Sequence, residues 1–200
     1  VTLNRADAGR PTPEPGLWKP VLLRALIALG FGLLTVFWPD VPSFVAGIYL
    51  IFSGIAVVSL NLAVQHGLKG SALLLRTESI VLAACGILAL VAPGAIALAL
   101  GAGLLLSGVL EILLGLKFRL QTVLGRDWLI TGGVAALAGI LLFVLANGSP
   151  RAPLGVTGGS AVIIGVVLVL AALSYRHDGA RPMQSGTAGR GGKQSLPGVE

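Results

Sequence analysis

Residues 76–115 read RTESIVLAACGILALVAPGAIALALGAGLLLSGVLEILLG. Two continuous apolar runs flank Ala92-Pro93-Gly94, and the charged residues stand only near the two far ends. An apolar run of about 20 residues is long enough to cross the hydrocarbon core of a bilayer as a helix. Barrel strands would instead show short alternating segments. Pro and Gly together mark a tight connection. The stretch therefore predicts an antiparallel pair of transmembrane helices closing at Pro93.

Working outward, the chain of 200 residues holds six such runs: 21–38, 43–64, 71–91, 94–116, 128–146 and 154–174. Only Arg24, Arg76, Glu78 and Glu111 place charges inside them. The whole chain is 55% hydrophobic and 11% charged, with a mean hydropathy of +0.93. An average soluble domain carries roughly 25% charged residues. These proportions exclude an ordinary soluble enzyme, a disulfide scaffold and a disordered protein. The single cysteine, Cys85, permits no intrachain disulfide and no thiolate metal cluster. The first run follows a polar, Pro-rich segment and no small-residue cleavage site follows it, so it reads as a span and not as a cleaved signal peptide.

The expected fold is an all-α polytopic membrane protein of six transmembrane helices in three antiparallel hairpins. Residues 1–17 and 177–200 are polar and expected to be disordered, around a transmembrane body at 18–176. With six spans both termini share one side. That side carries eleven of the basic residues outside the spans, and the other carries only Arg151. The positive-inside rule makes the richer side cytoplasmic, in a multi-pass plasma-membrane protein. The net charge of +6 is this bias, not a nucleic-acid footprint.

The hairpins repeat, at about 18–68, 69–124 and 125–176. Gly32, Gly86 and Gly139 are spaced by 54 and 53 residues, and Pro39 and Pro93 by 54. Gly47, Gly101 and Gly158 are spaced by 54 and 57, as are Gly54, Gly108 and Gly165. In lipid, small residues drive helix association because they let backbones approach closely. These nine glycines are therefore expected at helix contacts, the alternative being a pore lining. Gly155 and Gly159, four apart, predict a further close crossing.

Charges inside a span are costly and default to functional candidates. Arg76 lies 17 residues before Pro93 and Glu111 lies 18 after it, so the two share a depth. Arg24 and Glu78 are 54 apart, which is the repeat spacing. The expectation is a layer of two ion pairs near the cytoplasmic ends, Arg76–Glu111 and Arg24–Glu78. Snorkelling of the arginines towards the headgroups is the structural alternative, and proton or ion handling the functional one. His66 and His177 lack metal-ligand partners at suitable spacing. No Ser/His/Asp set converges in the spans, and no cofactor loop is present. The reading is therefore non-enzymatic, with no catalytic, metal or cofactor residue assigned.

Three hairpins of the form apolar–Gly–x6–Pro–apolar–Gly–x6–Gly resemble the HdeD-like acid-resistance membrane proteins, a family built on a short transmembrane repeat of unknown function. Residues 24–55 and 76–115 carry the resemblance, which covers roughly 18–176. Residues 128–165 depart from it, lacking the aligned turn proline and holding a longer loop. The resemblance implies an inner-membrane protein linked to acid or envelope stress, and it transfers no site residue. A small transporter or channel subunit is the alternative. The lipid bilayer is the expected partner, a homo-oligomer is compatible with the pattern, and the sequence names no small-molecule ligand.

Overall fold

A computed structural model describes residues 16–38, 40–65, 67–68, 70–145 and 151–179. Pro39, His66, Lys69 and most of the two terminal segments lie outside the described residues. Six long helices run α1 Trp18–Phe37, α2 Phe44–Val64, α3 Ala72–Val91, α4 Ile96–Phe118, α5 Leu124–Val144 and α6 Ala152–Gly179. No strand occurs among the described residues. All six are long and apolar enough to cross a membrane, so the chain is an all-helical, multi-pass membrane protein.

The turn at Pro93 forms where the chain chemistry predicts it. Pro93–Ala95 makes one 3-10 turn between α3 and α4, with Pro at its first position, where a missing N–H costs nothing. Before α3, Gly70 adopts φ +89°, a left-handed conformation that favours glycine. Two helix ends differ from expectation by four residues or more. Helix α5 begins at Leu124 instead of 128, which brings Asp127 into its first turn. An acidic group there meets the positive end of the helix dipole. Helix α6 continues past 174 to Gly179, with Arg176 and His177 in its last turn, so residues 177–179 are helical. Cations suit that end of a helix.

Each helix packs on its neighbours in the chain, and α6 returns to α1, closing a ring. The Arg176 guanidinium sits 5.5 Å from the centre of the Trp18 ring, where the start of α1 meets the end of α6. The even-numbered helices lie further inside. Their apolar windows are 56, 44 and 50% buried, against 39, 28 and 39% for α1, α3 and α5.

The tightest seams are α2/α3, α4/α5 and α6/α1, each joining one hairpin to the next. Glycines build them. A Cβ on Gly47 would stand 2.8 Å from the Gly86 carbonyl oxygen, and one on Gly86 would stand 2.7 Å from that of Gly47. Gly108 and Gly132 face each other across α4/α5 in the same way, with Gly139 against Gly101 farther along. On α6/α1, Gly32 meets Gly158, whose own Cβ position is filled by Thr35, and Gly165 meets the Leu29 backbone. Gly54 sits 3.0 Å, by the same measure, from the Ser79 carbonyl oxygen. All nine glycines singled out by spacing thus lie at inter-helix contacts.

Gly155 and Gly159 do not. A Cβ at either meets nothing within 4 Å. They border an open groove of about 310 Å³ between α5 and α6, so the close crossing expected from their spacing is absent. A matching groove of about 230 Å³ lies between α1 and α2, beside the stacked Phe31 and Tyr49 rings. A third, of about 240 Å³, flanks Gly54 on the outer side of α2/α3.

Candidate functional site

Arg24 stands six residues into α1, Glu78 six into α3, and Glu111 seven before the end of α4. At 1.5 Å per residue each is roughly 10 Å from the same end of the bundle. Helix faces then decide which of them meet. Glu78 points into the bundle and is fully buried. Arg76, two residues earlier, is rotated by about 200° on the helix and is exposed.

The pairing therefore differs from the expected one. Glu111 Oε1 accepts a charge-assisted hydrogen bond from Arg24 Nη2, not from Arg76. The same nitrogen lies 3.6 Å from Glu78 Oε1. That is close enough for Coulombic attraction but too long for a good hydrogen bond. One guanidinium thus faces two carboxylates. Arg76 and Glu111 share a depth but not a face, so the first expected pair does not form. Arg24 is 9% exposed and turns inward, so it does not snorkel.

Two hydroxyls complete the cluster. Thr131 on α5 donates to Glu111 Oε2 at 2.5 Å, and Ser107 on α4 donates to Glu78 Oε1 at 2.9 Å. Glu111 therefore has a partner on each oxygen. Glu78 Oε2 has none, although Glu78 is fully buried. The sequence reading passed over both hydroxyls. The signal for Thr131 was present, because Arg24, Glu78 and Thr131 follow the same 54 and 53 spacing as the first glycine set.

Beside the cluster lies an enclosed cavity of about 20 Å³, room for one water. Arg24, Tyr49, Ser53 and Ser107 supply its polar wall. Its apolar wall includes Ala28, Leu82 and Ala135, which lie near the midpoints of α1, α3 and α5. Those three residues again follow the 54 and 53 spacing, and Ser53, Ser107 and Ile164 follow 54 and 57.

A second polar contact was also passed over. The Tyr175 hydroxyl on α6 donates to Asp127 Oδ2 on α5, one turn from Thr131 towards the end of the bundle. Asp127 reads as a loop residue in the sequence because two charges, Arg126 and Asp127, precede the apolar run. Cys85 is half-buried against Gly103, and its Cβ fills the space that a side chain there would need. Among the described residues no three His, Cys, Asp or Glu side chains converge as a metal-binding group. The site can hold charge, a proton or a water, and its walls leave no room for an organic molecule. Comparison of the chain with protein-family models, with curated proteins and with solved structures found no match.

Proposed function

We propose that this is a non-enzymatic bacterial inner-membrane protein, similar to the HdeD-like proteins, that contributes to acid or envelope stress resistance. The observation that carries the reading is the three-unit glycine spacing, which falls on helix contacts throughout the bundle. Each unit is a hairpin of an internal repeat, and the glycine seams join one copy to the next. The excess of basic residues at the Trp18 and Arg176 end supports cytoplasmic termini. In this reading the protein works as a compact body within the bilayer. Deleting the gene and measuring survival at low pH tests it. Reduced survival, restored by the plasmid-borne gene, is expected, and unchanged survival would remove the stress assignment.

The buried charges favour a second reading, a small transporter or channel subunit, because ionisable groups inside a membrane commonly mark ion paths. Proton or solute flux into liposomes holding the purified protein, above that of empty liposomes, would select it. No excess flux selects the first.

A further inference from the structure

We propose that the Arg24–Glu78–Glu111 cluster is a binding site for one exchangeable proton, carried on Glu78 at neutral pH. The inference stands on the geometry of the cluster and holds whether or not the protein acts in acid survival. Charge comes first. With both carboxylates ionised, a single guanidinium leaves one net negative charge in a low-dielectric interior. A buried charge without a partner is heavily disfavoured, and two carboxylates sharing one site do not both ionise readily.

Geometry then selects which carboxylate takes the proton. Glu111 holds the Arg24 hydrogen bond on one oxygen and the Thr131 hydroxyl on the other, at 2.5 Å against 2.9 Å from that hydroxyl to the Asp127 carbonyl oxygen, so each oxygen of its anion has a donor. Glu78 holds the Ser107 hydroxyl and the more distant guanidinium on Oε1, while Oε2 is bare and inaccessible to solvent. A bare carboxylate oxygen is costlier there than a neutral carboxyl O–H. Adding one proton to Glu78 Oε2 converts its carboxylate to a carboxylic acid and brings the cluster to neutrality.

The surrounding groups do not supply a competing countercharge. Arg24 is the cation from α1, Tyr49 the titratable group from α2, and Glu111 the second carboxylate from α4. Arg76, on Glu78's own helix, is exposed. Helix α5 offers Thr131, with Asp127 a turn away and bound by Tyr175 of α6, and α6 lines the adjoining cavity with Ile164. Arg24 and Ser107, the two side chains at Glu78 Oε1, both line that cavity. A water there would lie beside Ser107 and Arg24, both of which contact Glu78 Oε1, and would give a step for proton exchange towards the cluster.

Infrared spectroscopy of the full chain in lipid nanodiscs reads the proton directly. The expected result at neutral pH is a carboxylic-acid carbonyl band that shifts in D2O, is lost in Glu78→Gln and persists in Glu111→Gln. Ser107→Ala should move the band and Thr131→Ala should leave it in place, which keeps the test decisive if Glu78→Gln fails to fold. Three results would overturn the proposal: no such band in the wild type, a band lost in Glu111→Gln but not in Glu78→Gln, or a band moved by Thr131→Ala but not by Ser107→Ala.

Discussion

The seams between hairpins and the seams within them are built differently. Between hairpins, at α2/α3, α4/α5 and α6/α1, the spaced glycines approach the facing helix closely, and at most of them an added carbon would stand under 3.0 Å from a neighbouring atom. Within hairpins, α1/α2 and α5/α6 part into open grooves, where Gly155 and Gly159 meet nothing. The buried polar contacts cross that division: Arg24–Glu111 and Thr131–Glu111 run between hairpins, while Ser107–Glu78 and Tyr175–Asp127 lie within them. Arg24 belongs to the first hairpin, Glu78 and Glu111 to the second and Thr131 to the third. Short loops join α2 to α3 and α4 to α5 as directly as they join α1 to α2, so chain connection does not set this division and glycine placement does. In lipid, where apolar area gives little preference for one partner over another, close backbone approach and buried hydrogen bonds provide that preference.

Substitutions can break this contrast, and the largest effect belongs to Arg24. Arg24→Gln leaves Glu111 buried without its cation, at a cost of about 3–5 kcal/mol. Reversible unfolding in mixed micelles should show that loss, whereas Arg76→Gln should stay within about 0.5 kcal/mol of wild type. Next comes Gly108→Val. The new side chain must displace the Gly132 carbonyl oxygen, only 2.6 Å from the Cβ position. Backbone cannot yield as a flexible side chain can, so overpacking should cost about 1–3 kcal/mol or more in the same assay. An equally large loss from Gly159→Ala would break the distinction between the two kinds of seam.

The expected sign at Gly155 and Gly159 is the opposite. Alanine at either position adds a methyl to open groove and restricts the unfolded chain, so each change should stabilise by roughly 0.4–1 kcal/mol. The smallest effect is expected at the other end of the bundle, where Asp40 and Arg151 pair at 2.9 Å with both side chains about three-quarters exposed. Asp40→Asn should cost no more than about 1 kcal/mol, and less as salt rises.

Most of the fold was legible in the sequence because span length and glycine spacing are strong signals in a membrane chain. The start of α5 was not, since Arg126 and Asp127 look like a loop until Tyr175 is seen to reach back to Asp127. The pairing of Arg76 with Glu111 failed for a related reason. Depth follows from counting residues, but the inward face of a span follows from an apolar-to-polar contrast around the helix. A helix set in lipid is apolar on both faces, so that contrast is nearly lost. The 54 and 53 residue spacing does mark the inward face. It places Arg24, Glu78 and Thr131 at equivalent positions, and Arg76 is not among them. Ser107 becomes legible only once Glu78 is known to point inward.

The central claim is that Arg24 is the countercharge that Glu111 requires. The most direct measurement is the unfolding free energy of Arg24→Gln, Glu111→Gln and the double variant in one micelle system. The account predicts that Arg24→Gln alone is severely destabilised and that adding Glu111→Gln recovers most of the loss, because the stranded charge is gone. Additive losses in the double variant, or rescue of a charge-reversed Glu111 by charge-reversed Arg76, would contradict it.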